Sequence, residues 1–226
     1  MHANHAPTFV WEELEEARRG MKKDKRGSED GVEVRDIKLL GRQALVVLAN
    51  LMSKYCSPTG KENGWTKIKT WLIPKKEGTE RVAELRPIAC LSHMYKLMLR
   101  VVLGRIKNSF KMREWTYGYK GGAGGEQLAF IIVEGLRRKR DWGIPFYCAK
   151  LDRSAAFDSV TIPTLQKALK YHSVDHYIGC LIIREIARRQ VTWMFDGVPA
   201  EGGWLKKGTS ARRPSERLPV STGDHL

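Results

Sequence analysis

In the stretch AKLDRSAAFDSV, residues 149–160, an aspartate follows a hydrophobic run directly, and a second sits six residues later behind an aromatic. The preceding IPFYC reads as a buried strand, so Asp152 falls at a strand end. A buried carboxylate is costly unless something pairs with it. Where phosphate chemistry is involved, a metal ion is the usual way to offset that cost. Asp152 is therefore a candidate metal ligand, against the plainer reading of a turn or cap residue after a strand. Phe157 taken alone is most simply a core aromatic. Asp158 reads as the cap of the next helix, not as a ligand.

Cationic residues recur upstream. WTKIKTWLIP reads as a strand stopped by Pro74, followed by Lys75 and Lys76, which the sequence does not tell apart. A charged, hairpin-like excursion, KKEGTERVAEL, leads to a second strand, RPIACL, that carries Arg86. An arginine fork matches phosphate oxygens, and a lysine serves as a point charge. The same residues also suit a solvated hairpin. GYKGGAGG holds Gly118, Lys120 and Gly121 and precedes Gln127. Its glycines would let backbone approach a nucleic-acid strand closely, or simply form a flexible connector. HSVDHYIGC spaces His172, His176 and Cys180 by four, which one continuous helix could turn toward zinc. Ser173 and Asp175, however, read as a helix break and a new cap. Arg188, Arg189, Lys206 and Lys207 read as solvated surface, in reach of a nucleic-acid backbone.

The elements that carry these residues alternate. FVWEELEEARRG is a short amphipathic helix. DIKLLGRQALVVLANLMSKYC has helical period, with Asp36 as its cap and Leu40, Ala44, Val47, Leu48 and Leu51 on one face. Ser92 caps HMYKLMLRVVLGRIKNSF. EQLAFIIVEGLRRKR, PTLQKALKYH and DHYIGCLIIREIARRQ are further helices, and VTWMFDG is a strand. No internal repeat is visible, and the mixture predicts an α+β fold. With 226 residues, 42% of them apolar, a sizeable core can form and global disorder is excluded. Forty Lys and Arg against 25 Asp and Glu give +15, which points to a polyanionic partner, most simply nucleic acid. No apolar run approaches a membrane span and the N-terminus lacks a signal-peptide core, so an intracellular protein, nuclear or cytoplasmic, without membrane contact is expected. Cys56, Cys90, Cys148 and Cys180 form no CxxC pair and read as reduced thiols.

In order and spacing, LIPKK, RPIACLSHMYKLM, YGYKGGAGGEQ and AKLDRSAAFDSV resemble the reverse transcriptase domain of non-LTR (LINE-type) retrotransposons over roughly residues 20–209, and SEDGV resembles that family's PDG segment. The resemblance implies an incomplete fingers–palm region of a right-hand polymerase, its antiparallel palm sheet packed with helices. It divides the chain into an N-terminal helix and charged linker (1–27), fingers and partial palm (28–209) and a tail (210–226). The implied activity is RNA-directed DNA polymerisation with RNA template, DNA primer, dNTP and two Mg²⁺ ions. Asp152 matches the family's first catalytic, metal-binding aspartate. By the same resemblance the Arg153 carbonyl would add an oxygen ligand, Phe157 would lie under the incoming sugar, Lys75 and Arg86 would grip the triphosphate, and Gly118, Lys120, Gly121 and Gln127 would contact the template. The family's usual lysine is replaced by Ala155. A non-catalytic RNA-binding module and a group II intron maturase-type protein are the alternatives.

The family's second acidic motif, which completes the metal site, is missing. After Asp158 the only aspartates are Asp175, Asp196 and Asp224, none beside another acid. One carboxylate does not hold two divalent ions against water, so the chain unaided is expected to be inactive. The pattern of elements stops at GTSARRPSERLPV, where the family continues RQGDPLSxxLF. Read one base later from within the Ser210 codon, the codons for Ser210 to Val220 permit Arg-Gln-Gly-Asp-Pro-Leu-Ser-Ala-Phe-Leu-Phe. Residues 210–226 are therefore expected to be out of frame and disordered.

Overall fold

The computed structural model describes residues 8–22, 30–60, 64–76, 84–118, 122, 124–152, 156, 159–195 and 198–200. Helix α1 (Trp11–Arg19) opens where Glu13 reaches back to accept from the Val10 N–H at 3.2 Å, satisfying one of the donors every helix start leaves open. Burial opposes ionisation of Glu13. The Arg105 guanidinium, 2.6 Å away, and the Val10 N–H together still hold its carboxyl below the usual range.

The stretch expected as one helix from Asp36 is two. Helix α2 (Val34–Leu39) begins after Glu33, and Asp36 lies inside it, accepting from the Glu33 N–H at 2.8 Å. The chain turns at Leu40 and Gly41, and α3 (Arg42–Cys56) starts afresh. That break resets the helical phase. Leu45, Leu48, Ala49 and Met52 are buried, whereas Ala44, Val47 and Leu51, expected inward, face solvent.

Strands β1 (Lys67–Pro74) and β2 (Leu85–Cys90) form where the sequence places them, as an antiparallel pair that ends at Pro74 opposite Leu85. Helix α4 (His93–Ile106) starts at Ser92, whose Oγ accepts from the Tyr95 N–H at 3.4 Å. Helices α5 (Gly125–Trp142), α6 (Ile162–Tyr171) and α7 (His176–Ala187) follow. Strand β3 (Gln190–Phe195) then runs parallel to β1, and β4 (Val198–Ala200), not foreseen from sequence, pairs antiparallel with β3. The described sheet is therefore mixed, in the order β2-β1-β3-β4.

One core joins α1 to α4 with Ile178 and Leu181 of α7. A smaller cluster, Leu72, Leu85, Val191 and Trp193, lies on one face of the sheet. Helix α7 is tied to the main core by polar groups. Glu185, only 2% exposed, accepts from the hydroxyls of Tyr55 at 2.8 Å and Tyr95 at 3.0 Å. Arg184 donates to the carbonyls of Tyr55 (3.0 Å), Cys56 (3.4 Å) and Ser57 (2.7 Å), which satisfies acceptors left open at the end of α3.

Residues 144–152, expected as a palm strand, belong to no strand, and Asp152 is exposed. An extended segment becomes a strand only beside a hydrogen-bonding neighbour. Among the described residues no strand lies against this one, and Tyr147 (91%) and Leu151 (94%) stand in solvent.

The helix break expected near residue 173 is present. Ser173 takes a positive φ of 55°, and Asp175 caps α7 by accepting from the N–H groups of Tyr177 at 3.0 Å and Ile178 at 3.1 Å. Replacing Asp175 with Ala is expected to cost about 1 kcal/mol, and Asp175→Asn much less, because asparagine caps equally well. Urea midpoints of the two variants check this; equal midpoints would show that the cap contributes nothing.

Candidate nucleic-acid interface

Alternation along β1 sorts its side chains. Ile68, Thr70 and Leu72 are buried, whereas Lys67, Trp71 and Ile73 are exposed on the other face and Lys69 is half-buried there. Register carries the pattern across, since Ile73 faces Arg86 and Trp71 faces Ile88. Beyond Pro74 the pairing continues, with the Lys75 N–H donating to the Glu84 carbonyl at 3.0 Å. Lys75 therefore lies on the same face as Ile73 and diagonally across from Arg86, about 7 Å apart by cross-strand geometry. Two of the expected phosphate-gripping residues thus share one face at the end of the described β1–β2 ladder. The sequence reading missed that Lys67, Lys69 and Trp71 extend this face, although the period-two pattern of KIKTWLIPK signals it. A cationic face with an exposed indole suits single-stranded nucleic acid, through phosphate contacts and base stacking.

The glycine-rich segment leads into α5. Gly118 is exposed, and Gln127 in the first turn of α5 donates to the Gly122 carbonyl at 3.2 Å, where Gly122 takes a φ of +76° that favours glycine. Beside them Tyr117, Glu126, Gln127, Phe130 and Ile131 line a shallow cleft of about 400 Å³. Gln127 thus shares this cleft with Tyr117, the residue before Gly118, whereas Lys120 and Gly121 lie outside the described residues.

Asp152 stands apart. It is exposed, and among the described residues it has no hydrogen-bond or ion-pair partner. The expectation of a buried carboxylate in need of compensation does not hold here, because the strand that would bury it does not form. Arg153, Phe157 and Asp158 lie outside the described residues. Among the described residues no group of three or more His, Cys, Asp or Glu side chains could hold a metal ion. A pair of Mg²⁺ ions needs several oxygen ligands, so the described donors do not fit it. The His172, His176 and Cys180 trio does not converge either. His172 Nδ1 accepts from the Lys111 N–H at 3.0 Å, while His176 Nε2 lies 3.6 Å from Cys180 Sγ on α7. Among the described residues no helix is long and apolar enough to cross a membrane.

The described residues thus define a basic mixed helix-and-sheet protein that presents a cationic, aromatic hairpin face. No family model matches the chain. Over 111 residues, 49% of its length, it is 26% identical to the retrovirus-related Pol polyprotein from type-1 retrotransposable element R2 of Popillia japonica, and the matched stretch spans 16% of that polyprotein. The sequence similarity is therefore to a retrotransposon Pol polyprotein.

Proposed function

We propose that the chain is the fingers and part of the palm of a retroelement reverse transcriptase, an RNA-directed DNA polymerase whose partners are an RNA template, a DNA primer and dNTP. The observation that carries this reading is the run LIPKK, RPIACLSHMYKLM, YGYKGGAGGEQ, LDRSAAFD in one order within a chain similar to a Pol polyprotein. The shared face of Lys75 and Arg86 supports it, since two cations on one face of a strand pair suit a polyphosphate. Asp152 is the residue assigned to polymerisation. Because the family's second acidic motif is missing from this sequence, the chain as it stands is assigned binding without turnover. The same missing motif makes a binding-only, RNA-holding module the second reading.

Single-stranded RNA is expected to bind with little sequence preference. Each phosphate neutralised should add about −0.7 to the slope of log affinity against log salt. Fluorescence anisotropy at several salt concentrations checks this. Absent binding at low salt, or binding insensitive to salt, would overturn the nucleic-acid reading.

A further inference from the structure

Strand β1 is internal to the sheet, between β2 and β3, yet one of its faces carries large exposed side chains. Register defines a row across all four strands on that face. Ile88 of β2 faces Trp71 of β1, Trp71 faces Met194 of β3, and Met194 faces Pro199 of β4. With neighbouring strands about 4.8 Å apart, the row is about 14 Å long. Met194 is buried, but Ile88 (47%), Trp71 (40%) and Pro199 are exposed. Cations border the row on both sides. Lys69, with Lys67 beyond it, stands on one side; Arg86, with Lys75 beyond Ile73, stands on the other. Each border begins one pleat repeat, about 7 Å, from the row. Among the described residues Glu84, opposite Lys75 at the far end, is the single acid that the register brings to this face. The Trp71 ring is itself distinctive. Trp11, Trp65, Trp115 and Trp142 each meet an arginine or another aromatic ring, whereas among the described residues no such group meets the Trp71 indole.

We infer that this row seats the bases of a single nucleic-acid strand lying across the sheet, and that Trp71 is the residue on which a base stacks. The role assigned to Trp71 rests on the nucleic-acid reading of the chain and goes beyond it, because it requires contact with bases as well as phosphates. An indole offers a flat apolar surface that any base can cover, and cations beside it hold the phosphates that come with the base. A duplex keeps its base faces inside its own stack and would meet only the cations. An apolar protein surface fits less well. Covering the row with one, a second copy of this +15 chain included, would draw the bordering cations out of water without bringing them anions.

The test compares strands that carry the same phosphates with and without bases. Fluorescence anisotropy on the full chain, at one fixed salt concentration, uses a labelled single-stranded oligonucleotide and its abasic counterpart of equal length. The native chain is expected to bind the base-bearing strand at least tenfold more tightly. Trp71→Ala is expected to weaken that binding at least fivefold while leaving the abasic strand within about twofold, and Trp71→Phe, which keeps an aromatic face, should retain most of the affinity. Trp71→Leu keeps the apolar bulk without the flat ring. It should behave like the alanine variant and decides in its place if that variant does not fold. Equal affinity of the native chain for the two strands overturns the assignment without any variant. So does native affinity in the leucine variant, or an equal loss on both strands, which would make Trp71 a support of the cationic face. Unchanged RNA affinity in a Trp71 variant that sediments as a monomer where the native chain is a dimer also overturns it, since the row would then seat a second copy. Salt-dependent binding that ignores bases removes this role and keeps the nucleic-acid reading. Absence of any binding at low salt removes both.

Discussion

Replacing Asp152 with Asn in the chain joined to the downstream part of a full-length relative is expected to abolish primer extension on an RNA template while leaving RNA affinity within about twofold. The expected loss is on the order of 10³-fold, equivalent to about 4 kcal/mol of transition-state stabilisation. The structure makes this substitution easy to interpret. Asp152 is exposed and unpartnered among the described residues, so an isosteric amide leaves no buried donor unsatisfied and should move stability by less than about 0.5 kcal/mol. A change confined to extension therefore reports on chemistry and not on folding. RNA affinity is expected to persist because the cations, on the β1–β2 hairpin, are carried by a different element. Full extension by the Asn variant removes Asp152 from the site and returns it to its plainer role as a turn residue. Loss of extension together with RNA binding would show instead that the substitution disturbs the fold.

Features specified by a few adjacent residues were legible in the sequence. Ser92 and Asp175 announce their helices because a short acceptor side chain reaches amides two or three residues on. Strands β1 and β2 follow from alternation and from Pro74. What escaped depends on partners distant in the chain. Strand β1 pairs with β3 across more than a hundred residues, with Lys67 opposite Gln190, and no local pattern encodes that choice. The face of α3 was misjudged because the turn at Leu40 and Gly41 restarts the helix. Segment 144–152 has strand-like composition but, among the described residues, no neighbour to make it a strand. In the candidate site, Lys75 and Arg86 came together because they share one hairpin. Asp152 lies on a different segment, and only tertiary pairing could have placed it beside them. Glu185 drew no notice at all, since nothing in IIREIARR shows that its partners are Tyr55 and Tyr95.

Those partners set the largest stability effect expected in the chain. Glu185→Ala removes the acceptor of two buried hydroxyls and a partner of Arg184, whose Nη2 lies 3.2 Å from it. Removing one member of a buried charged network typically costs about 3–5 kcal/mol, a large part of the stability of an ordinary domain. Most of that cost is the penalty of the groups left behind without partners. Removing the carboxylate and both hydroxyls together, while Arg184 keeps its backbone carbonyl acceptors, should therefore cost less. The triple replacement Glu185→Leu, Tyr55→Phe and Tyr95→Phe leaves no orphaned hydroxyl and is expected to recover at least half of the loss seen with Glu185→Ala. The tyrosines supply a second readout. Burial first, and the Glu185 carboxylate after it, push both phenols above their ordinary value of 10.0. Once pH exceeds 10 the unfolded chain releases these protons while the folded chain keeps them, so stability falls as pH rises. That alkaline loss should be present in the native chain and reduced in the triple variant, which has lost both phenols. Urea unfolding of the native, Glu185→Ala and triple-variant proteins at pH 7 and pH 10.5 measures both effects. Additive costs at pH 7, with the triple variant no more stable than Glu185→Ala, would show that the network contributes through its hydrogen bonds themselves and not through the groups it keeps from being stranded.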